Sequence, residues 1–589
     1  MNIRYFLCLL MAAAFFACSP DPKPMVTTET PVSGVDFKHD DNVLRIALRQ
    51  EPQGLNPVLT AQADARYVRE LIFQTLNDQD PETFEIIPLL ATIPDVRKES
   101  GGGISYSYEI NPEAKWPNGL PVSAADVIFS LKAIMNPDVK SGPYKPYYYN
   151  IKSVITSPGN ERRFRVMTRR PYLLAQQAIA SLVIYPEYAY DPDRRLRKVR
   201  LGDLTDEKSA ARLKGKNKDL VAFAKEFNGV AMATEPDKIV GSGPYRLVSW
   251  EAGQRLTLDR RPDYWAKGSS KEELQGKPEQ VIFEFIPDPQ TTVNALRDEK
   301  IDFALNLSSG QFQELRDDDF LKQRFDFTTV PGTSYFGLTM NMREGFFKNK
   351  ATRQAMAHLV DVNAIINQFF PNNLARRVHG PVLDGKDYYA DLPHKDYDPD
   401  KALTLLTGAG WEDTNGDGTL DKEVRGTRQE FKFKFLTFPS PEAEGIGALM
   451  KEWMAEIGVE VEVVAMPGRA LYNELNKGDF DMGLQGMGLD PNPDEFTQVW
   501  ASTSVPPNGT NRTGFANAEA DRLIKQIAVT VSDKDRDPMY RRFQEIIHEE
   551  QPMVFLISPA TRMVVTKRFA YSTSPISPGV KFGAFEKRE

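Results

Sequence analysis

Apolar and polar positions alternate most clearly at 431–437, where phenylalanine and lysine take turns (FKFKFLT), and at 459–465 (VEVEVVA). A period of two puts one set of side chains on each face of a strand. The intervening stretch, 441–457, predicts a helix. A similar unit precedes it: VIFEFI (281–286) is a strand, Val293 and Leu296 mark a short helix, and IDFALNL (301–307) is the return strand. Such units imply parallel or mixed sheets with right-handed crossovers. Nearer the start, LRIAL (44–48) predicts a first core strand that ends at the turn EPQGLNP (51–57). A helix is expected over about 65–76, and an extended segment at ISYSYEI (104–110). At SAAD (123–126) a capping-box-like start opens a helix, with Asp126 favouring its positive end. Val127, Leu131, Ile134 and Met135 keep helical spacing until Asn136-Pro137 stops it. Asp398 and Pro399 start another helix, with an apolar stripe at Ala402, Leu405 and Leu406 and a stop at Gly408. The fold class is α/β, and 589 residues are too many for one core, so two or three lobes are expected.

The N-terminus changes the picture. Arg4 precedes a short apolar run, Tyr5 to Ala17, and then Cys18-Ser19-Pro20. The run is too short for a membrane span and fits a signal-peptide core. The Ala17-Cys18 junction resembles a bacterial lipobox, which implies cleavage before Cys18 and acylation of its thiol. Two or more acyl chains anchor a protein stably. Residues 19–42 are rich in Pro, Thr and Asp without apolar period and read as a disordered tether. The only other cysteine, Cys8, lies inside the signal, so the mature body can form no disulfide. With 73 basic against 81 acidic residues, no nucleic-acid partner is expected. The charged stretch 191–228 reads as solvated surface helices.

Four segments then carry a resemblance: AKWPNGLPVSAADVIFSL (114–131), GSGPYRLVSWEAGQRLTLDRRPDYW (241–265), NMREGFFKNKATRQAMAHLVDVNAII (341–366) and NRTGFANAEADRLI (511–524). In this order they resemble the extracellular solute-binding proteins that serve dipeptide, oligopeptide and nickel importers. The resemblance implies a two-lobed periplasmic binding protein fold of the Venus-flytrap type with an extra inserted domain, three lobes in all. On that basis 1–17 is the signal peptide, 18–42 the lipidated cysteine and tether, 43–75, 232–325 and 549–589 lobe I, 76–231 lobe II, and 326–548 lobe III. It implies a monomer lipid-anchored outside the cytoplasm, with a peptide ligand, the transmembrane permease subunits of an ABC importer as partners, and no cofactor.

The candidate ligand site is FDMGLQGMGLDPNPDEF (480–496). Phe480 to Gly486 reads as a strand, with Asp490 just beyond its carboxyl end, where open α/β sheets bind ligands. A carboxylate in a dehydrated cleft needs a cation, which a peptide α-ammonium would supply. The resemblance points to the same aspartate as the group that fixes the ligand's N-terminus. Two departures stand beside it: Met487 stands where the family's Trp-x-x-Asp or Gly-x-x-Asp sequence begins, so the aspartate matches but the tryptophan does not, and Leu484 replaces a basic residue of some oligopeptide binders. Asp490 also fits a turn carboxylate, since DPNPD is turn-rich, and Asp494 is an equal alternative partner. Strand addition between Ala61-Gln62-Ala63 and Gly486-Met487-Gly488 would recognise a peptide main chain. Trp250, Trp265, Trp411, Trp453 and Trp500 fit the core more readily than a ligand platform, though Trp500, close to 486–496, is a candidate for the cleft lining.

Other signals carry less. In DTNGDGTLDKE (413–423), Asp413, Asn415, Asp417, Gly418 and Asp421 sit at calcium-ligand spacing, but the twelfth position is Val424, and an Asx-rich hairpin turn fits as well. No two of His39, His358, His379, His394 and His548 have zinc spacing, and nucleophile-elbow and P-loop sequences are absent. An enzyme is therefore not expected. The alternatives to a peptide are a nickel chelate, haem, an opine or a saccharide in the same fold, or a sensor component that presents its ligand.

Overall fold

The computed structural model describes residues 34–60, 62–81, 83–424, 426–488 and 493–589. The signal segment and Cys18 lie outside the described residues, as do Ala61 and Asp490.

The first sheet has seven strands. In chain order they are Val43–Leu48 (β1), Tyr245–Glu251, Arg255–Arg260, Gln280–Phe285 (β2), Phe303–Leu305 (β3), Phe325–Val330 and Thr561–Thr566. β1 lies centrally, parallel to β2 on one side and β3 on the other. Leu44, Ile46 and Leu48 are buried while the residues between them are half-buried. The crossover from β2 to β3 runs through Pro289–Arg297, whose N-terminus is capped by Asp288 accepting from the Thr291 N–H at 2.7 Å.

The second sheet has six strands. They are Ser334–Met340 (β4), Ala375–Arg377, Lys432–Thr437 (β5), Glu460–Ala465 (β6), Met482–Gly488 (β7) and Met553–Pro559 (β8). Their spatial order is Ala375–Arg377, β8, β4, β7, β5, β6. β5 shows why the phenylalanine–lysine alternation works: Phe433 and Phe435 are buried, and Lys432 and Lys434 are exposed. The helix after β5, Pro441–Ala455 (α1), returns the chain to the parallel strand β6. A third sheet of four strands, Asp95–Lys98, Ile104–Glu109, Ile151–Ser157 and Asn160–Thr168, packs with the helix Ala124–Met135. At the start of that helix Asp126 accepts the Ser123 N–H at 2.9 Å and the Trp116 indole N–H at 3.3 Å.

Residues 553–559, grouped by the sequence reading with the first lobe, pair instead with β4 and with Ala375–Arg377 in the second sheet. Phe325–Val330 pairs with Thr561–Thr566 in the first sheet, so the second lobe starts beyond Val330 rather than at 326. The physical reason is that MVFLIS is buried along its whole length, as befits a strand covered on both faces. A uniformly apolar run does not say which sheet it joins.

The chain passes between the two large sheets at 331–333 and again at 560, and these crossings lie side by side. Ser558 Oγ donates to the Gly332 carbonyl at 3.1 Å. A Cβ on Gly332 would stand 2.1 Å from the Pro559 carbonyl oxygen. These two adjacent single-strand crossings are the link between the two large sheets. Away from it, the Leu173 N–H donates to the Ala528 carbonyl at 2.8 Å, joining the four-stranded region to the helix Ala518–Val529 of the second lobe.

Candidate functional site

β7 is paired along its full length on one side, with β4, from Ser334↔Gly488 to Met340↔Met482. On the other side it meets β5 only at Met482 and Gly483. The edge from Leu484 to Gly488 therefore has no strand partner among the described residues. Unpaired backbone N–H and C=O groups are costly when dehydrated and are a ready template for an added strand. The helix Gly468–Lys477 (α2) runs beside this edge. The Tyr472 hydroxyl lies 3.3 Å from the Gly486 nitrogen and 3.4 Å from its oxygen.

Gly486, Met487 and Gly488, the predicted segment, thus form the end of β7. A Cβ at Gly486 would approach the Phe336 ring at 3.0 Å, so only glycine fits without a shift. Gly488 is exposed, with open space where a side chain would be. Met487 is buried against the helical core of this lobe, opposite Tyr335.

Beyond the strand, Asp494 and Glu495 are treated differently. Asp494 is buried; the Lys386 ammonium donates to it at 2.9 Å and the Tyr388 hydroxyl at 3.0 Å. The Tyr540 hydroxyl donates to its carbonyl at 2.5 Å. Asp494 therefore fixes the loop from inside. Glu495 accepts from the Thr497 N–H at 3.0 Å and from the Thr497 hydroxyl, and no cation meets it among the described residues. Burial raises its carboxyl above the ordinary range, outweighing those two hydrogen bonds. Burial also raises the Tyr172 hydroxyl, and the Glu495 charge adds to that push.

The loop 50–62 of the first lobe is closely braced. Gln62 accepts from the Gln53 N–H at 3.0 Å and donates to the Glu51 carbonyl at 3.2 Å. Arg69 donates to the Pro57 carbonyl at 3.1 Å and the Thr60 carbonyl at 2.6 Å. Gln62 thus spends its side chain on the loop, and Ala63, exposed, begins the helix Ala63–Ile72. Trp500 is placed differently from its expected position. It is 2% exposed, and its ring packs on Phe515 and Phe555, so it belongs to the core beneath the loop.

In the acidic hairpin, Asp413 accepts the Gly416 N–H at 2.7 Å and the Gly418 N–H at 3.0 Å, and Asn415 accepts that of Asp417 at 3.1 Å. Asp421 accepts the Thr414 N–H at 3.1 Å and lies 3.3 Å from Arg428 Nε. These groups serve their own turn. Among the described residues no set of three or more His, Cys, Asp or Glu side chains is placed to hold a metal ion.

Two α/β lobes joined by paired crossings, with an open strand edge on one of them, define a two-lobed ligand-binding protein. The chain belongs to the bacterial extracellular solute-binding proteins, family 5, whose model matches residues 85–508. The oligopeptide-binding protein AppA of Bacillus subtilis is 27% identical over 523 residues, covering 87% of this chain and 86% of that protein. The structure of AppA in complex with a nonapeptide aligns with a TM-score of 0.71 at 23% identity, over 93% of this chain and 99% of the other. NikZ from Campylobacter jejuni in complex with Ni(L-His) aligns with a TM-score of 0.70 at 23% identity, over 90% of this chain and 95% of the other.

Proposed function

We propose that this chain is the lipid-anchored substrate-binding subunit of an ABC importer, that it captures peptides between its lobes and hands them to the transmembrane permease, and that it catalyses no reaction. The observation that carries the reading is the Leu484–Gly488 edge of β7, which has no strand partner among the described residues and meets only the Tyr472 hydroxyl, at Gly486. A peptide main chain satisfies such an edge whatever its side chains, which suits a scavenger of mixed peptides. Asp490, two residues beyond the strand, would take the ligand's α-ammonium, and the loop at Ala61 to Ala63 would flank it from the first lobe. A ligand touching both lobes favours the closed state, because only differential affinity shifts a population. The paired crossings at 331–333 and 560 are the pivot of that closure.

A second reading keeps the fold and exchanges the cargo for a metal chelate. It is favoured by Leu484 and Met487, which stand where some oligopeptide binders of the family carry a basic residue and a tryptophan, and by the likeness to a Ni(L-His) complex.

Native mass spectrometry of the mature protein purified gently from cells separates the two. Co-purified masses that fragment as short peptides are expected. Masses that carry a metal, without peptide fragments, would overturn the peptide reading. For the anchor, Cys18→Ser should release the protein from the membrane fraction; a variant that stays there would refute lipidation at this cysteine.

A further inference from the structure

Among the described residues Arg512 has no counter-charge, and it lies beside the open edge. Its guanidinium lies 4.8 Å from the centre of the Tyr472 ring, the tyrosine whose hydroxyl meets the backbone of Gly486. Its Nε donates to Asn476 Oδ1 at 2.8 Å, which fixes the plane of the group from the end of α2. Its carbonyl accepts from Arg343 at 3.0 Å, which holds the loop below it.

The terminal nitrogens have no partner among the described residues. Other desolvated arginines that lack an acid use theirs. Arg69 donates to the Pro57 and Thr60 carbonyls, Arg343 to the Arg512 carbonyl, and Arg562 to the Ser309 hydroxyl. Arg353 and Arg568 pair with Glu550 and Asp302. Arg512 is half-buried; burial lowers its pKa and the neighbouring Tyr472 only partly offsets this. A guanidinium stacked on an aromatic ring, braced at Nε and open at both terminal nitrogens, is preorganised for a carboxylate.

We infer that Arg512, held over Tyr472, is the anchor for a ligand carboxylate, so that the Leu484–Gly488 edge is flanked by a cationic pole on the α2 side and by the Glu495 carboxylate beyond its end. The inference rests on the reading of that edge as the ligand platform, and it names what the far end of the ligand must carry. A ligand laid along β7 with its ammonium at the acidic loop points its other end toward Arg512. The chain would then select molecules with a free amine and a free carboxylate, and disfavour amides and esters. Neither Leu484 nor Met487 supplies this charge; it comes from a loop 24 residues or more further along the chain.

The test is calorimetric titration of the full mature protein in detergent with dialanine, trialanine and tetraalanine, with their C-terminal amides, and with nickel–L-histidine as a carboxylate probe that is not a peptide. Arg512→Gln should weaken the free acids about 10- to 100-fold and leave the amides unchanged. Arg512→Lys should recover only part of the loss, since a point charge cannot grip a carboxylate at two atoms. Asn476→Ala, which keeps the charge and removes its brace, should cost less than Arg512→Gln. Equal losses for acids and amides, or no loss at all, would overturn the assignment. If no peptide binds the wild type while nickel–histidine does, the peptide reading falls by itself. The anchor is then judged on the chelate: a tenfold or greater loss in Arg512→Gln upholds it, and an unchanged affinity overturns it. A wild type that holds none of the carboxylate probes also overturns it.

Discussion

Two acidic, turn-rich segments of this chain look alike on paper and differ in the structure. In DTNGDGTLD (413–421) Asp413, Asn415 and Asp421 each accept N–H groups of their own hairpin, and Arg428 closes the set. In DPNPDEF (490–496) Asp494 is equally satisfied, by Lys386 and Tyr388, but Glu495 beside it is partly desolvated and meets no cation among the described residues. An acidic turn that closes its own hydrogen bonds is structure. One that leaves a carboxylate partly desolvated next to a strand edge without a neighbouring strand is open to a ligand, since a charge so placed gains most from a partner that brings the opposite one.

The comparison is broken most severely at Asp494. Asp494→Ala removes the carboxylate that accepts from the Lys386 ammonium and the Tyr388 hydroxyl, and it should cost about 3 kcal/mol of stability, read from chemical denaturation. A change below about 1 kcal/mol would mean that Asp494 is not the internal pillar of the loop.

Glu495→Gln should act in the opposite sense on stability. Because burial raises the folded-state pKa of Glu495, its contribution is greatest below the ordinary carboxyl range and is lost as pH rises through the folded-state value. The glutamine variant should therefore melt about 1–2 °C higher than the wild type at neutral pH and converge with it in acid. It should also bind free-amine ligands several-fold more weakly, by about 1 kcal/mol. Lower stability at neutral pH would give Glu495 a structural role like that of its neighbour.

The smallest effect is expected in the hairpin. Asp413→Ala should cost about 1 kcal/mol, with ligand affinity untouched. Millimolar calcium should leave the wild-type melting temperature where it is; a calcium-dependent rise would make the loop a cation site after all.

Much of the fold was legible because burial follows period. The phenylalanine–lysine alternation of β5, the Asp398-Pro399 helix start and the strand–helix–strand units lie where the sequence places them. Boundaries moved by a few residues: the strand expected at 480–486 is Met482–Gly488, which carries Met487 and Gly488 into the pairing with β4. β8 was not assignable because a run apolar on both faces has no preferred sheet. Trp500 was misplaced for a related reason: nearness in sequence to 486–496 does not distinguish the loop's surface from the core under it. Tyr472 and Arg512 gave no signal because they sit 40 residues apart. Only the packing of α2 along β7 stacks one on the other. Glu495 was hidden beside the more conspicuous Asp494.

The most direct test of the central claim is the affinity of one short peptide, with its N-terminus free and N-acetylated, for the wild type and for Asp490→Asn. Binding along the β7 edge with the amine at the acidic loop predicts that the substitution weakens the free peptide about 10- to 100-fold and the acetylated one hardly at all. Equal losses for the two peptides would remove Asp490 from the site and contradict the orientation in which the ligand is held.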